Sequence, residues 1–266
     1  MSDGLIDLAW WQLGIGALLV VALAVVTHLG RLGLSRDLLV AATRMVIQLA
    51  IIGFVLEALF ALAAFHWVAV MACVMLLLAG REVMSRQKRR MTGGWAFAIG
   101  TVSMFISSFA VTVFALVVVI GPAPWYTPQY AIPLLGMLLG NTMTGVALGM
   151  DRLTDSAWRQ RQVIEGRLML GMTWSQAIAD LRRDAMRSGM IPIINGMAAA
   201  GIVSLPGMMT GQILAGSPPA LAVKYQVLVF LLIAVGTGFG TVAAVFAASR
   251  RLFDDRQRLR LERLAT

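Results

Sequence analysis

The sequence predicts an all-α, polytopic membrane bundle of about seven helices, and three observations carry that prediction. Only 13% of the 266 residues are charged, about half the share of a soluble domain. Hydrophobic residues make up 59% of the chain, and the mean hydropathy is +0.82. The apolar residues fall in runs of about 20, the length that crosses a bilayer as a helix. No large water-soluble domain fits between them, so residues 1–266 read as a single transmembrane domain.

The runs lie at about 10–29, 38–60, 65–80, 95–120, 131–150, 191–215 and 225–248. The first follows "MSDGLIDLAW", which has no Lys or Arg. A signal peptide has a basic start, so this run reads as a retained span. Of the 22 basic residues, 20 fall in segments 30–37, 81–94, 151–190 and 249–266. Seven spans with the N-terminus outside and the C-terminus in the cytoplasm put all four segments on one face; one span more or fewer breaks the pattern. In so hydrophobic a chain, a net charge of +9 marks cytoplasmic loops that face membrane lipid, and it predicts no nucleic-acid partner. The outer connections are "GPAPWYTPQY" (121–130), a proline-rich interface turn with aromatics, and "AGSPPALAVK" (215–224). The lone Cys73 lies in an apolar run and permits no disulfide within the chain.

Segment 151–190 is the one sizeable polar insertion. Ile164, Leu168, Trp174, Ile178, Leu181 and Ala185 recur at helical spacing, with Arg and Asp on much of the other side. Gly171 interrupts the pattern and fits a helix C-terminal cap. Thr173 with Gln176 three residues later forms a capping box for a new helix. The segment therefore reads helix, tight turn at 171–173, helix, with Met172 and Trp174 at the bend. Apolar residues at an exposed bend want a partner surface. The two readings are an amphipathic helix lying on the membrane and a protein-docking element.

"EGRLMLG" (165–171), with Glu165 six residues before Gly171, resembles the first half of the EAA-type motif of ABC-transporter permeases. Its second half departs: residues 181–184 read "LRRD", where that motif has Ile-x-Leu-Pro. "QLAIIGFVL" (48–56), "IPLLGMLLGN" (132–141), "EGRLMLGMT" (165–173), "VSLPGMMTGQILAG" (203–216) and "KYQ" (224–226) together resemble the bacterial iron-export permease family, whose plant relatives are associated with aluminium tolerance. The resemblance runs over roughly residues 36–250. It implies an inner-membrane, multi-pass permease that pairs with a separate ABC ATP-binding subunit, as two permease copies and two ATPases. It further implies that Glu165, Gly171, Met172, Thr173 and Trp174 dock the ATPase, and that iron is the cargo. The chain has no Gly-x4-Gly-Lys-Ser/Thr loop. This chain is thus expected to bind no cofactor, with ATP held by the partner. "GTGFG" (236–240) follows no strand and reads as small-residue helix packing.

Charged and polar groups inside spans are candidates for a pathway. Arg44 and Gln48 share one face of the second span; Arg44 either snorkels to the interface or serves the pathway. Glu57 lies near the outer end. Asn141 and Thr142 in the fifth span and Asn195 in the sixth make either interhelical hydrogen bonds or substrate contacts. Gly136 with Gly140, and Gly145 with Gly149, predict close helix contacts, within the chain or across a dimer. Pro206 and Gly207, followed by Met208 and Met209, predict a broken helix that forms a hinge or pathway wall. No His, Cys or carboxylate cluster has metal-ligand spacing, so no metal-binding residues are assigned. No enzyme active site is visible. The alternative to an ATP-driven permease is an ion-coupled carrier or a channel for another small solute. Such a carrier often places carboxylates at mid-membrane, where this chain offers only Glu57, off centre.

Overall fold

The computed structural model describes residues 9–62 and 64–264. Among these the ordered chain is helical: α1 (Trp10–Leu29), α2 (Ser35–Leu62), α3 (Phe65–Ser85), α4 (Trp95–Ile120), α5 (Pro128–Arg159), α6 (Arg161–Met169), α7 (Trp174–Ala177), α8 (Ala179–Ala199), α9 (Gly207–Leu214) and α10 (Pro219–Arg251). Six of them, α1 to α5 and α10, are uninterrupted helices long and apolar enough to cross a membrane.

The expected sixth span, 191–215, is not one helix. It is the second half of α8, a break at 200–206, and the short α9. At the break Gly201 takes φ +82°, and its amide donates to the Ser204 carbonyl at 2.9 Å. Pro206 then starts the next helix in extended geometry. Proline lacks the amide an unbroken helix would need there, and glycine alone takes the left-handed turn without strain. The fourth span is also irregular. Two π-helical stretches widen it, Phe105–Phe109 in mid-course and Ala115–Ile120 at its end.

α5 is the axis of the bundle, packed by α3, α4, α8 and α10. Close approach depends on its small residues. A methyl at Gly145 would lie 2.9 Å from the Gly189 carbonyl oxygen of α8 and 2.7 Å from Thr241 of α10. Gly149 faces Val245, and Gly240 of α10 faces Thr142 and Ser107. The Gly145/Gly149 pair is thus used inside the chain, while Gly140 has nothing within 4 Å. "GTGFG" is helix packing, as its context predicts.

Two apolar cores result. One lies at the basic end around Val83, Leu153, Ile164, Ile178 and Phe253. The other lies further along the bundle around Leu59, Leu116, Leu138, Ile193 and Val229. The α1–α2 hairpin stands largely outside both, with only Ala24 and Leu59 buried. A helix apolar all round needs no core when lipid surrounds it. The basic tail is not a free arm over its described part. It folds back so that the Thr92 amide donates to the Arg263 carbonyl at 2.8 Å, and Leu252, Phe253 and Leu264 are buried.

Candidate functional site

The bend between α6 and α7 is built by local hydrogen bonds. The Gly171 amide donates to the Leu168 carbonyl at 3.0 Å and the Met172 amide to Arg167 at 3.2 Å. With Gly171 at φ +86°, this pair is a Schellman cap, which ends a helix and satisfies its last carbonyls. Thr173 then opens α7. The Gln176 carboxamide oxygen accepts from both the Thr173 amide and its hydroxyl, each at 3.0 Å. This is the Thr173–Gln176 contact of the expected capping box.

An ion pair staples the two arms. Arg167 donates to both carboxylate oxygens of Asp180 at 2.7 and 2.8 Å, and to the Ala177 carbonyl at 2.8 Å. The guanidinium holds the Asp180 carboxyl down at about 2. The sequence pattern did not single out this pair, since thirteen residues separate its members and no periodicity connects them.

Trp174 turns inward. Its ring lies 6.1 Å from Phe246 and 6.0 Å from Phe253, with the Arg250 guanidinium 5.5 Å from its centroid. Its amide donates to the Gln257 side chain of the tail at 2.7 Å. The residue thus ties the bend to the end of α10. The outward apolar surface belongs to Met169 and Leu170, 86% and 83% exposed, joined by Met172 at 43%. Met169 and Leu170 were missed because they read as continuing the helix; the signal was their place beside Gly171. Glu165 is exposed one turn earlier and belongs to no ion pair among the described residues.

Elsewhere the polar residues divide. Arg44 faces Glu82 of α3 at 3.6 Å. Glu82 was read as part of a loop, but α3 runs on to Ser85. Gln48 lies one turn along from Arg44 and lines the same shallow groove on α2. Glu57 is exposed on α2, away from any ion pair among the described residues. On α5, Gly140 and Asn141 are exposed and Thr144 half-buried, a stripe without a neighbouring helix over it. Asn141 donates to the Met137 carbonyl at 2.8 Å and Thr144 to Gly140 at 3.1 Å. Asn195 is exposed on α8. Thr142 is instead buried beside α10, and the hydroxyls of Thr142, Thr237 and Thr241 are buried without a partner. Met209 is buried and Met208 packs on the core, as adaptable filler does. Pro206 and Gly207 sit at the far end of α8 from the bend, about 30 Å along a 21-residue helix. Among the described residues no three His, Cys or carboxylate groups cluster for a metal.

These features define a multi-span, all-α membrane protein with one short helical bend outside its apolar spans. The chain belongs to the uncharacterised protein family UPF0014, which matches residues 10–253. It is similar to the UPF0014 membrane protein slr1647 of Synechocystis, 38% identical over 97% of this chain and 99% of that one. The probable iron export permease protein FetB of Escherichia coli is 32% identical over 93% of each chain. The Arabidopsis thaliana protein ALUMINUM SENSITIVE 3 is 31% identical over 86% of this chain and 81% of its own. No solved structure matches.

Proposed function

We propose that the chain is the membrane-spanning permease subunit of an ABC exporter in a bacterial inner membrane, with iron as its cargo. In this reading a separate ATP-binding subunit docks on the bend, which faces the cytoplasm, and two copies of each subunit assemble. ATP is bound by the partner. The iron substrate follows the name of the Escherichia coli relative.

The observation that carries the docking is the bend itself. Met169, Leu170 and Met172 project into solvent, while Trp174 and the Arg167–Asp180 pair fix the same bend to α10 and α8. A motor biases a pore only through contacts that differ between its two states. An exposed apolar knob on a stiff mount meets both requirements: it offers contact area, and it passes displacement to two helices that pack on α5. A helix lying on lipid needs no such mount.

The test is co-purification and reconstitution with a candidate ATPase. Met169→Asp with Leu170→Asp abolishes association and transport while the unfolding temperature of the permease stays unchanged, since both side chains are free. Full association in that variant sinks the docking site. Iron transport in vesicles that hold the permease without any ATPase favours the ion-coupled carrier or channel.

A further inference from the structure

At the basic end a cavity of about 490 Å³ opens between the start of α4 and the end of α10. Arg250, Arg251 and Arg263 line it. The Arg251 guanidinium lies over the Trp95 indole, 4.3 Å from the centroid, and its Nε is buried with no hydrogen-bond partner. Arg263 enters from the folded-back tail. It donates to the carbonyls of Arg251 at 2.7 Å and Phe253 at 3.1 Å, which sets a second guanidinium in the same recess.

Two carboxylates also line the recess, and both are engaged. Asp254 accepts from the amides of Arg256 and Arg258 and from the Arg258 side chain. Asp255 is fully exposed and holds Arg250 at 3.0 Å. Among the described residues no carboxylate lies within ion-pair distance of Arg251 or Arg263. Two guanidiniums without a counter-ion repel each other, and an anion between them removes that cost. A guanidinium held against an indole keeps its N–H fork available, and that fork can take a phosphate in two parallel bonds. α4, which starts at Trp95, has no acidic residue in its first turn to compete for this position.

The recess has a second, apolar wall. Phe246 and Ala247 line it from the exposed flank of α10. Trp95 stands at the mouth of a span, the depth at which indoles mark the membrane interface. One end of the cavity therefore suits a phosphate and the other a hydrocarbon chain. Basic recesses between spans take anionic headgroups in this manner. We propose that this recess is a phosphate-binding site filled by an anionic phospholipid, its headgroup between Arg251 and Arg263 and its acyl chains along Phe246. The bound lipid joins α4, α10 and the tail. The proposal holds whatever the permease carries.

The test is thermal unfolding of the full chain in neutral detergent, with phosphatidylglycerol, phosphatidylcholine or inorganic phosphate added. Phosphatidylglycerol raises the unfolding temperature and phosphatidylcholine does not. Arg251→Gln with Arg263→Gln loses the shift, while Arg183→Gln, at an exposed arginine that does not line the cavity, keeps it. Arg251→Lys retains charge without the fork and weakens the lipid by roughly tenfold. That variant, read by native mass spectrometry of retained lipid, serves if the double variant does not fold. A shift given by inorganic phosphate alone, with nothing added by phosphatidylglycerol, keeps the phosphate site and overturns the lipid. An equal phosphatidylglycerol effect in the wild type and in the arginine variants overturns the site.

Discussion

The indole of Trp174, the first residue of α7, packs against the end of α10, and its partners decide what it does. Phe246 meets it edge-on, Phe253 packs against it at a tilt, and the Arg250 guanidinium lies 5.5 Å from its centroid. Trp174→Ala is expected to lower stability by about 2 kcal/mol, less than a fully buried tryptophan would cost, whereas Met169→Ala changes stability by less than about 0.5 kcal/mol. Chemical denaturation of the two variants side by side separates mount from knob. Asp180 gives a pH signature. Its folded pKa, about 2, lies below the ordinary carboxylate value. Its contribution to stability is therefore complete above about pH 4 and lost as the pH falls towards 2. The pair is partly exposed, so the loss is modest. Asp180→Asn should flatten that part of the acid-unfolding curve; an unchanged curve would show that the staple holds nothing.

At the level of the elements, the crossing of α5 and α8 is set by absent side chains. A methyl at Gly189 would overlap the Gly145 carbonyl and crowd Thr241. Gly189→Leu should cost at least the 1–3 kcal/mol typical of overpacking, roughly, and loosen both helices. Gly140→Leu, on the uncovered stripe of the same α5, should leave the unfolding of the single chain almost unaltered. Comparison of the two unfolding temperatures in detergent checks the packing; equal losses would contradict it. The break at 200–206 belongs to this scale too. Gly201 and Pro206 end one helix and start another, so motion at this joint leaves the α8 half that carries the bend intact.

Across the whole molecule, the basic segments, the bend and the folded-back tail gather at one end. In a chain with Cys73 replaced, single cysteines at positions 31, 88, 170 and 256 are expected to react with an impermeant reagent from one side of the membrane only. Labelling of position 170 from the side opposite 256 would contradict the bundle. The spans, the basic bias and the glycine-marked bend are legible in the sequence because hydrophobic length, charge between spans and capping chemistry are local properties of the chain. The pairing of Arg44 with Glu82, of Arg167 with Asp180, and of Trp174 with Phe246 and Phe253 is not, because each joins separate elements. The same holds for the outward turn of Met169 and Leu170. Their apolar character is written in the chain, but whether they meet a core or solvent depends on which neighbours the tertiary fold brings to the bend. The sequence determined a multi-span helical protein with a capped bend at its basic end. Only the tertiary structure decided that Trp174 anchors that bend and that Arg251 and Arg263 share a recess, because burial and charge pairing depend on residues distant in the chain.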